Sequence, residues 1–258
     1  MRTSNKIKGN KIHEEEDAMY IYQPKGKAGE YGEYALNLYD GCTHGCKYCY
    51  VPAIRYKTPQ EYHSKAMARK FNLAGLKNEI STHAGKPLFL CFTCDPYQPI
   101  NDTEKLTSRI IPLCHKNNIP VTILTKGGKR SGVDFPVLAK NPQLSNYGST
   151  LTFLNESDSL EWEPDAALPN ERISMLKKAH EMGIPTWASL EPVIDPAQSI
   201  EIIKACHGFI DVFKVGRWNH DQRSNLIDWK DFAKRTVEIL ESVGAKYYIK
   251  NDLKKFLD

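Results

Sequence analysis

The sequence predicts an α/β protein folded as a partial (β/α)6 TIM-type barrel. Short β-rich runs alternate with helical patterns along the chain, the signal for βαβ units around a parallel sheet. The units number six, which suits a barrel open on one side rather than a closed one of eight units. At 258 residues the chain is long enough to bury one large core. Polar residues also recur just past the strand ends, where barrels of this type gather their chemistry.

Residues 1–30, rich in Lys, Glu and Gly, read as a polar leader that wraps the domain edge, and residues 31–258 as a single core domain. Strands are expected over Tyr34–Tyr39, Pro87–Phe92, Pro120–Leu124, Ser149–Leu154, Thr186–Leu190 and Phe209–Val215, with a short last strand over Lys246–Ile249. Helices are expected over Tyr62–Thr82, Thr103–Asn117, Val133–Ala139, Asn170–Met182, Ala197–Cys206 and Asn225–Val243. In the second helix Asp102 or Thr103 can cap, Leu106, Ile110, Leu113 and Cys114 follow helical spacing, and Pro112 predicts a kink. The fourth carries Ile173, Leu176 and Ala179 on one stripe, then Gly183 as a stop and Pro185 beyond it.

A hydrophobic share of 41% and a charged share of 26% are those of an ordinary soluble globular protein. No apolar run approaches the roughly 18 residues needed to span a bilayer, so no membrane partner is expected. The first residues lack an apolar signal region, and a cytoplasmic location is the expectation. The net charge of +4 points only weakly to an anionic partner such as nucleic acid.

The most informative segment is Asn37-Leu-Tyr-Asp-Gly-Cys-Thr-His-Gly-Cys-Lys-Tyr-Cys-Tyr50. Its C-x3-C-x2-C spacing places Cys42, Cys46 and Cys49 on one short loop. Three thiolates can hold three irons of a [4Fe–4S] cube, whose corners normally take one cysteine each, and leave the fourth iron to a small molecule. The rival is a structural zinc knuckle completed by His44. There His44 would sit between two ligands, where chain geometry strains a tetrahedral site. A disulfide framework fits less well, since seven cysteines is an odd number and no secretory signal precedes them.

The cysteine segment resembles the signature of radical S-adenosylmethionine (SAM) enzymes. With Thr93-Cys-Asp-Pro-Tyr-Gln-Pro99, Leu124-Thr-Lys126, the stretch from Glu163-Pro164 to Arg172, and Leu190-Glu-Pro-Val-Ile194, it is similar to the spore photoproduct lyase-like branch. The likeness runs from about residue 20 to residue 220 and implies a radical SAM barrel with a [4Fe–4S] cluster and SAM as cofactors. It implies Cys42, Cys46 and Cys49 as cluster ligands, Tyr48 against the SAM adenine and Lys126 on the SAM carboxylate. Asp95 either receives the SAM amino group or orders the loop after the second strand. Thr152 is either a SAM contact or a core position, and Glu191 either binds ribose hydroxyls or ends its strand. Arg130, Glu163 and Arg172 are read as a salt-bridged scaffold or as substrate contacts.

In spore photoproduct lyases, tyrosines matching Tyr48 and Tyr50 are linked to hydrogen-atom return, and a cysteine near the end of the second strand is the donor. Cys94 is the candidate donor here, although neither Cys91 nor Cys94 stands in clear register with that cysteine. The expected activity is therefore reductive SAM cleavage to a 5′-deoxyadenosyl radical that abstracts hydrogen from a substrate, with nucleic acid the leading class. A flavodoxin- or ferredoxin-type protein is the expected electron donor. The alternatives are a radical SAM enzyme acting on a protein or small molecule, and a non-catalytic zinc-binding nucleic-acid adaptor.

Overall fold

A computed structural model describes residues 19–258. The first 18 residues of the expected leader lie outside the described residues. The core is a sheet of eight strands in sequential order: β1 (Ile21–Tyr22), β2 (Tyr34–Leu36), β3 (Leu88–Leu90), β4 (Val121–Thr125), β5 (Ser145–Thr150), β6 (Thr186–Val193), β7 (Val212–Arg217) and β8 (Lys246–Ile249). Strands β2 to β8 are parallel, and β1 runs antiparallel to β2. No pairing joins β8 back to β1, so the barrel is open.

Six helices cover the outside, each between consecutive strands: α1 (Leu73–Thr82), α2 (Leu106–Lys116), α3 (Phe135–Lys140), α4 (Pro169–Glu181), α5 (Pro196–Cys206) and α6 (Trp229–Ser242). The main core lies between sheet and helices, with Ile110, Ile123, Leu176, Ile203, Val215 and Leu240 sealed in it. A smaller cluster of Ala35, Phe89 and Trp187 fills the barrel interior.

Three expectations are corrected. The single helix over Tyr62–Thr82 divides into a short helix, Pro59–His63, a strand, Met67–Ala68, and α1. Thr58 and Glu61 form a capping box that starts the first helix, and the Asn72 side chain caps α1 by accepting from Ala74 N and Gly75 N. Strand Met67–Ala68 pairs with Tyr39–Asp40 and braces the cysteine loop. The second helix begins after Lys105, in left-handed conformation at φ 52°, so neither Asp102 nor Thr103 caps it; both sit in a separate turn, Asn101–Glu104.

The fourth parallel strand lies at Ser145–Thr150, earlier than expected. Its Ser-Asn-Tyr-Gly start looks like a turn in sequence. Gly148 is small because a β-carbon there would lie 2.3 Å from the Trp187 indole. The strand thus makes room for the ring that plugs the barrel, a requirement set by β6 and invisible locally.

Residues 21–31 are built into the barrel. Lys27 pairs with Asp252 at 2.7 Å and donates to Asn219 Oδ1, while Glu30 accepts from Tyr248 Oη and Asn251 N. These side chains carry the segment before β2 across to the end of β8. The barrel's open seam is bridged by polar contacts rather than by strand pairing.

Candidate active site

At the C-terminal ends of the strands lies a cavity of about 640 Å³, within the roughly 300–1,000 Å³ usual for small-molecule sites. Its lining brings together Cys42, Cys46, Cys49, Tyr48, Tyr50, Cys94, Asp95, Lys126 and Glu191, residues scattered over 150 positions of sequence. Thr152 does not line it; it is buried behind Tyr48, 3.2 Å from the tyrosine hydroxyl.

The cysteine loop is held at almost every residue. Gln98, fully buried, donates to Gly41 O and accepts from Thr43 N at 3.1 Å each. A ring nitrogen of His63 lies 2.7 Å from Cys42 O. Asp165 N donates to His44 O, and Lys47 N donates to Trp162 O. Gln98, in the Asp-Pro-Tyr-Gln run, is the clamp on the loop, a role that only its hydrogen bonds reveal.

Tyr48 is fixed by Glu163, to whose carboxylate its hydroxyl donates. Glu163 pairs with Arg172 at 2.6 Å, both sealed from solvent. Arg172 donates further to Ala167 O and Thr150 O, tying α4 to the loop after β5. Burial alone would raise the Glu163 carboxyl, but the Arg172 and Lys126 charges outweigh it and hold it below the usual carboxylate range. Of the two roles considered for this pair, the geometry is that of a scaffold. Arg130 is not part of it; it pairs with Asp102 at 3.3 Å on the surface.

Lys126 is the free cation of this wall: among the described residues its ammonium makes no hydrogen bond or ion pair. It sits 5.4 Å from the Tyr48 ring centre. Burial pulls its pKa down, and nearby Cys46 and Glu163 more than reverse that. Asp95, by contrast, is occupied. Its carboxylate accepts from Tyr97 N, Thr125 Oγ1 and Lys126 N at 2.7–2.8 Å. The loop-ordering role is therefore the one its geometry supports, in place of a free acceptor for the SAM amino group.

The donor set suits a cluster with one cysteine per iron. All three thiols are unbridged and face one cavity beside an unpaired ammonium. Burial pushes the Cys46 thiol up to about 12 and raises Cys42 and Cys49 as well. A bound metal inverts that order, because a coordinating thiol is deprotonated outright. His44 is oriented by Asp95, 3.5 Å from its Nδ1, and its buried Nε2 has no partner. Among the described residues, no three His, Cys, Asp or Glu side chains converge as holders of a single metal ion.

The opposite wall was less visible in sequence. Lys250, buried just past β8, donates to Glu191 at 2.6 Å. Tyr31, from the segment before β2, donates to Glu191 and lies 2.9 Å from Ser189 Oγ. A β-carbon at Gly216 would lie 2.8–2.9 Å from both Glu191 and Lys250, so the glycine lets this pair cross over β7. Phe89 and Phe92 stack at 4.0 Å beneath Tyr31. The signal for Lys250 was its place one residue after a strand, the rule that had already picked Lys126.

An open, parallel α/β barrel with three thiols and a free lysine at its C-terminal rim defines an enzyme of the cluster-bearing barrel type. The chain belongs to the radical SAM superfamily, whose model matches residues 36–210; this superfamily uses a [4Fe–4S] cluster and SAM. An uncharacterized protein of Methanocaldococcus jannaschii is 29% identical over 66% of this chain and 64% of its own length. One from Acidianus two-tailed virus is 25% identical over 66% of the chain and 59% of its own. The chain thus spans less than two thirds of these relatives' lengths.

Among solved structures, spore photoproduct lyase complexed with dinucleoside spore photoproduct aligns with TM-score 0.67 at 13% identity, over 85% of this chain and 76% of that one. Streptococcus suis SuiB bound to S-adenosylmethionine aligns with TM-score 0.65 at 15% identity, over 86% and 51%. At these identities the likeness is one of fold. Among the described residues no helix is long and apolar enough to cross a membrane.

Proposed function

We propose that this chain is a radical SAM enzyme acting on a nucleic-acid component, in the manner of the spore photoproduct lyase-like branch. The observation that supports this best is the composition of the cavity at the strand ends. Cluster thiols and Lys126 form one wall, while Tyr22, Tyr31 and Phe92 with Lys25 and Lys27 line the other, where Lys250 is held by Glu191. Aromatic faces accept stacked bases and lysines accept phosphate, the pairing that single-stranded nucleic-acid sites use.

Cys42, Cys46 and Cys49 hold the cluster, which when bound supplies the electron that cleaves SAM to methionine and a 5′-deoxyadenosyl radical. Lys126 takes the SAM carboxylate by a charge-assisted bond. Tyr48, locked by Glu163 and Thr152, presents its ring to the adenine, and Glu191 offers an oxygen to the ribose. Asp95 and Thr152 act through Lys126 and Tyr48. Tyr50, half-exposed on the cavity rim, and Cys94 return hydrogen to the product. A flavodoxin- or ferredoxin-type protein is the electron source.

The experiment is anaerobic incubation of reduced enzyme with SAM and single-stranded or lesion-bearing oligonucleotides in deuterated water. Expected are about four irons per chain, 5′-deoxyadenosine, and deuterium in the oligonucleotide. Cys46→Ala should lose all three. 5′-Deoxyadenosine with label found only in added peptide or small molecule would transfer the activity to that class. One zinc and no iron would remove the enzyme assignment.

A further inference from the structure

Cys114 and Cys206 are sealed between sheet and helices, the ordinary place of a free thiol acting as a small hydrophobe. Cys42, Cys46 and Cys49 belong to the cluster loop. Cys91 joins the same buried core and Cys94 packs against it, yet unlike Cys114 and Cys206 both also reach the cavity. They form a second C-x2-C run just past β3, both are unbridged, and both line the cavity.

The backbone between them is held in one shape. Cys91 adopts φ +68°, a left-handed conformation that L residues rarely take because the β-carbon crowds the following carbonyl. Cys91 N donates to Leu36 O and Thr93 N to Asn37 Oδ1, at 2.9 Å each, and the Tyr62 hydroxyl donates to Thr93 O. Phe92 is locked in its stack on Phe89. Cys94 follows Cys91 by three residues along this fixed segment, and both side chains open on the same cavity. A strained residue persists only where its surroundings over-determine it, and such residues cluster at functional sites.

We propose that Cys91 and Cys94 are a redox-active dithiol that closes to a disulfide inside the cavity, its reaction partner a small disulfide or thiol able to enter. One cysteine thiolate attacks the external disulfide RSSR, forming a mixed disulfide and expelling RS⁻. The second thiolate attacks the protein sulfur of that bond and expels the other RS⁻. The two thiol protons end on the two RSH released; the pair loses two electrons and the external disulfide gains them. Pinning both sulfurs on one turn makes the second attack intramolecular and fast. Closure removes both S–H bonds from the cavity, so the state of the pair decides whether Cys94 can return hydrogen. That consequence rests on the function proposed above, whereas the exchange itself does not.

The test equilibrates anaerobic holoenzyme with graded mixtures of 2-mercaptoethanol and bis(2-hydroxyethyl) disulfide, traps thiols with N-ethylmaleimide, and maps them by mass spectrometry. The wild type should pass from two trapped thiols to a Cys91–Cys94 disulfide in a single transition, with Cys114 and Cys206 unchanged. Cys91→Ser should instead accumulate a Cys94–mercaptoethanol mixed disulfide, at least tenfold above the wild type, because nothing resolves it. Cys94→Ser supplies the same readout at Cys91 if the first variant fails to fold. Both wild-type thiols remaining trappable at every ratio, or a mixed disulfide as the wild-type end product, overturns the proposal. Iron content of the same samples reports separately on the cluster.

Discussion

The wall that carries the cluster thiols is drawn from residues 42–49, whereas Tyr31, Glu191 and Lys250 of the facing wall come from opposite ends of the chain. The first is a loop clamped by the Gln98 side chain and by one buried ion pair, Glu163–Arg172. The second exists only because Tyr31 is carried across the open seam to β6 and Lys250 reaches over Gly216. The cofactor side of the barrel is thus a local device, and the facing side is a product of closure. Substitutions should separate the two walls.

The largest effect on stability is expected from Glu163→Gln, which leaves the Arg172 charge sealed and unpaired. Breaking a buried pair from one side costs about 3–5 kcal/mol, readable as a lower urea midpoint. The pH dependence has a definite sign. The Glu163 carboxyl is held low in the folded state, so its stabilisation is present above the unfolded carboxylate value of about 4.3. It is lost as pH falls through the lower folded value. Urea midpoints measured down an acid series should fall more steeply for the wild type than for Glu163→Gln.

Lys250→Met probes the facing wall. It removes the cation paired with Glu191 while leaving the cysteine loop untouched. Iron content should stay at the wild-type level, while oligonucleotide affinity falls by about tenfold, ~1.4 kcal/mol. Loss of iron in this variant would erase the distinction between the walls. The smallest effect belongs to Arg130→Ala, whose partner Asp102 is on the surface. Exposed pairs are worth about 0–1 kcal/mol, so thermal unfolding and activity should scarcely move.

Much of the molecule was legible in the residues. Strands β3, β4, β6, β7 and β8 lie within a few residues of their expected places; β3 and β6 are the most buried and read as apolar runs. Gly183 ends α4 in left-handed conformation, as its place after the helix implied. Strand β5 was expected over Ser149–Leu154 and begins four residues earlier, since its starting residues answer to the Trp187 ring. Asp95 and Gln98 stand in one quoted run, yet only their hydrogen bonds distinguish a loop organiser from a loop clamp.

The sequence by itself determined the α/β alternation, the open barrel and the three-thiol loop, because each is written in spacing that short-range geometry must obey. Tertiary structure alone decided what the facing wall contains and which polar groups remain free. Lys126 is unpaired while Asp95 and Lys250 are engaged, and those states depend on partners brought near by folding. Spacing along a chain fixes which groups can share a loop; only packing decides which of them have their charges and hydrogen bonds already satisfied.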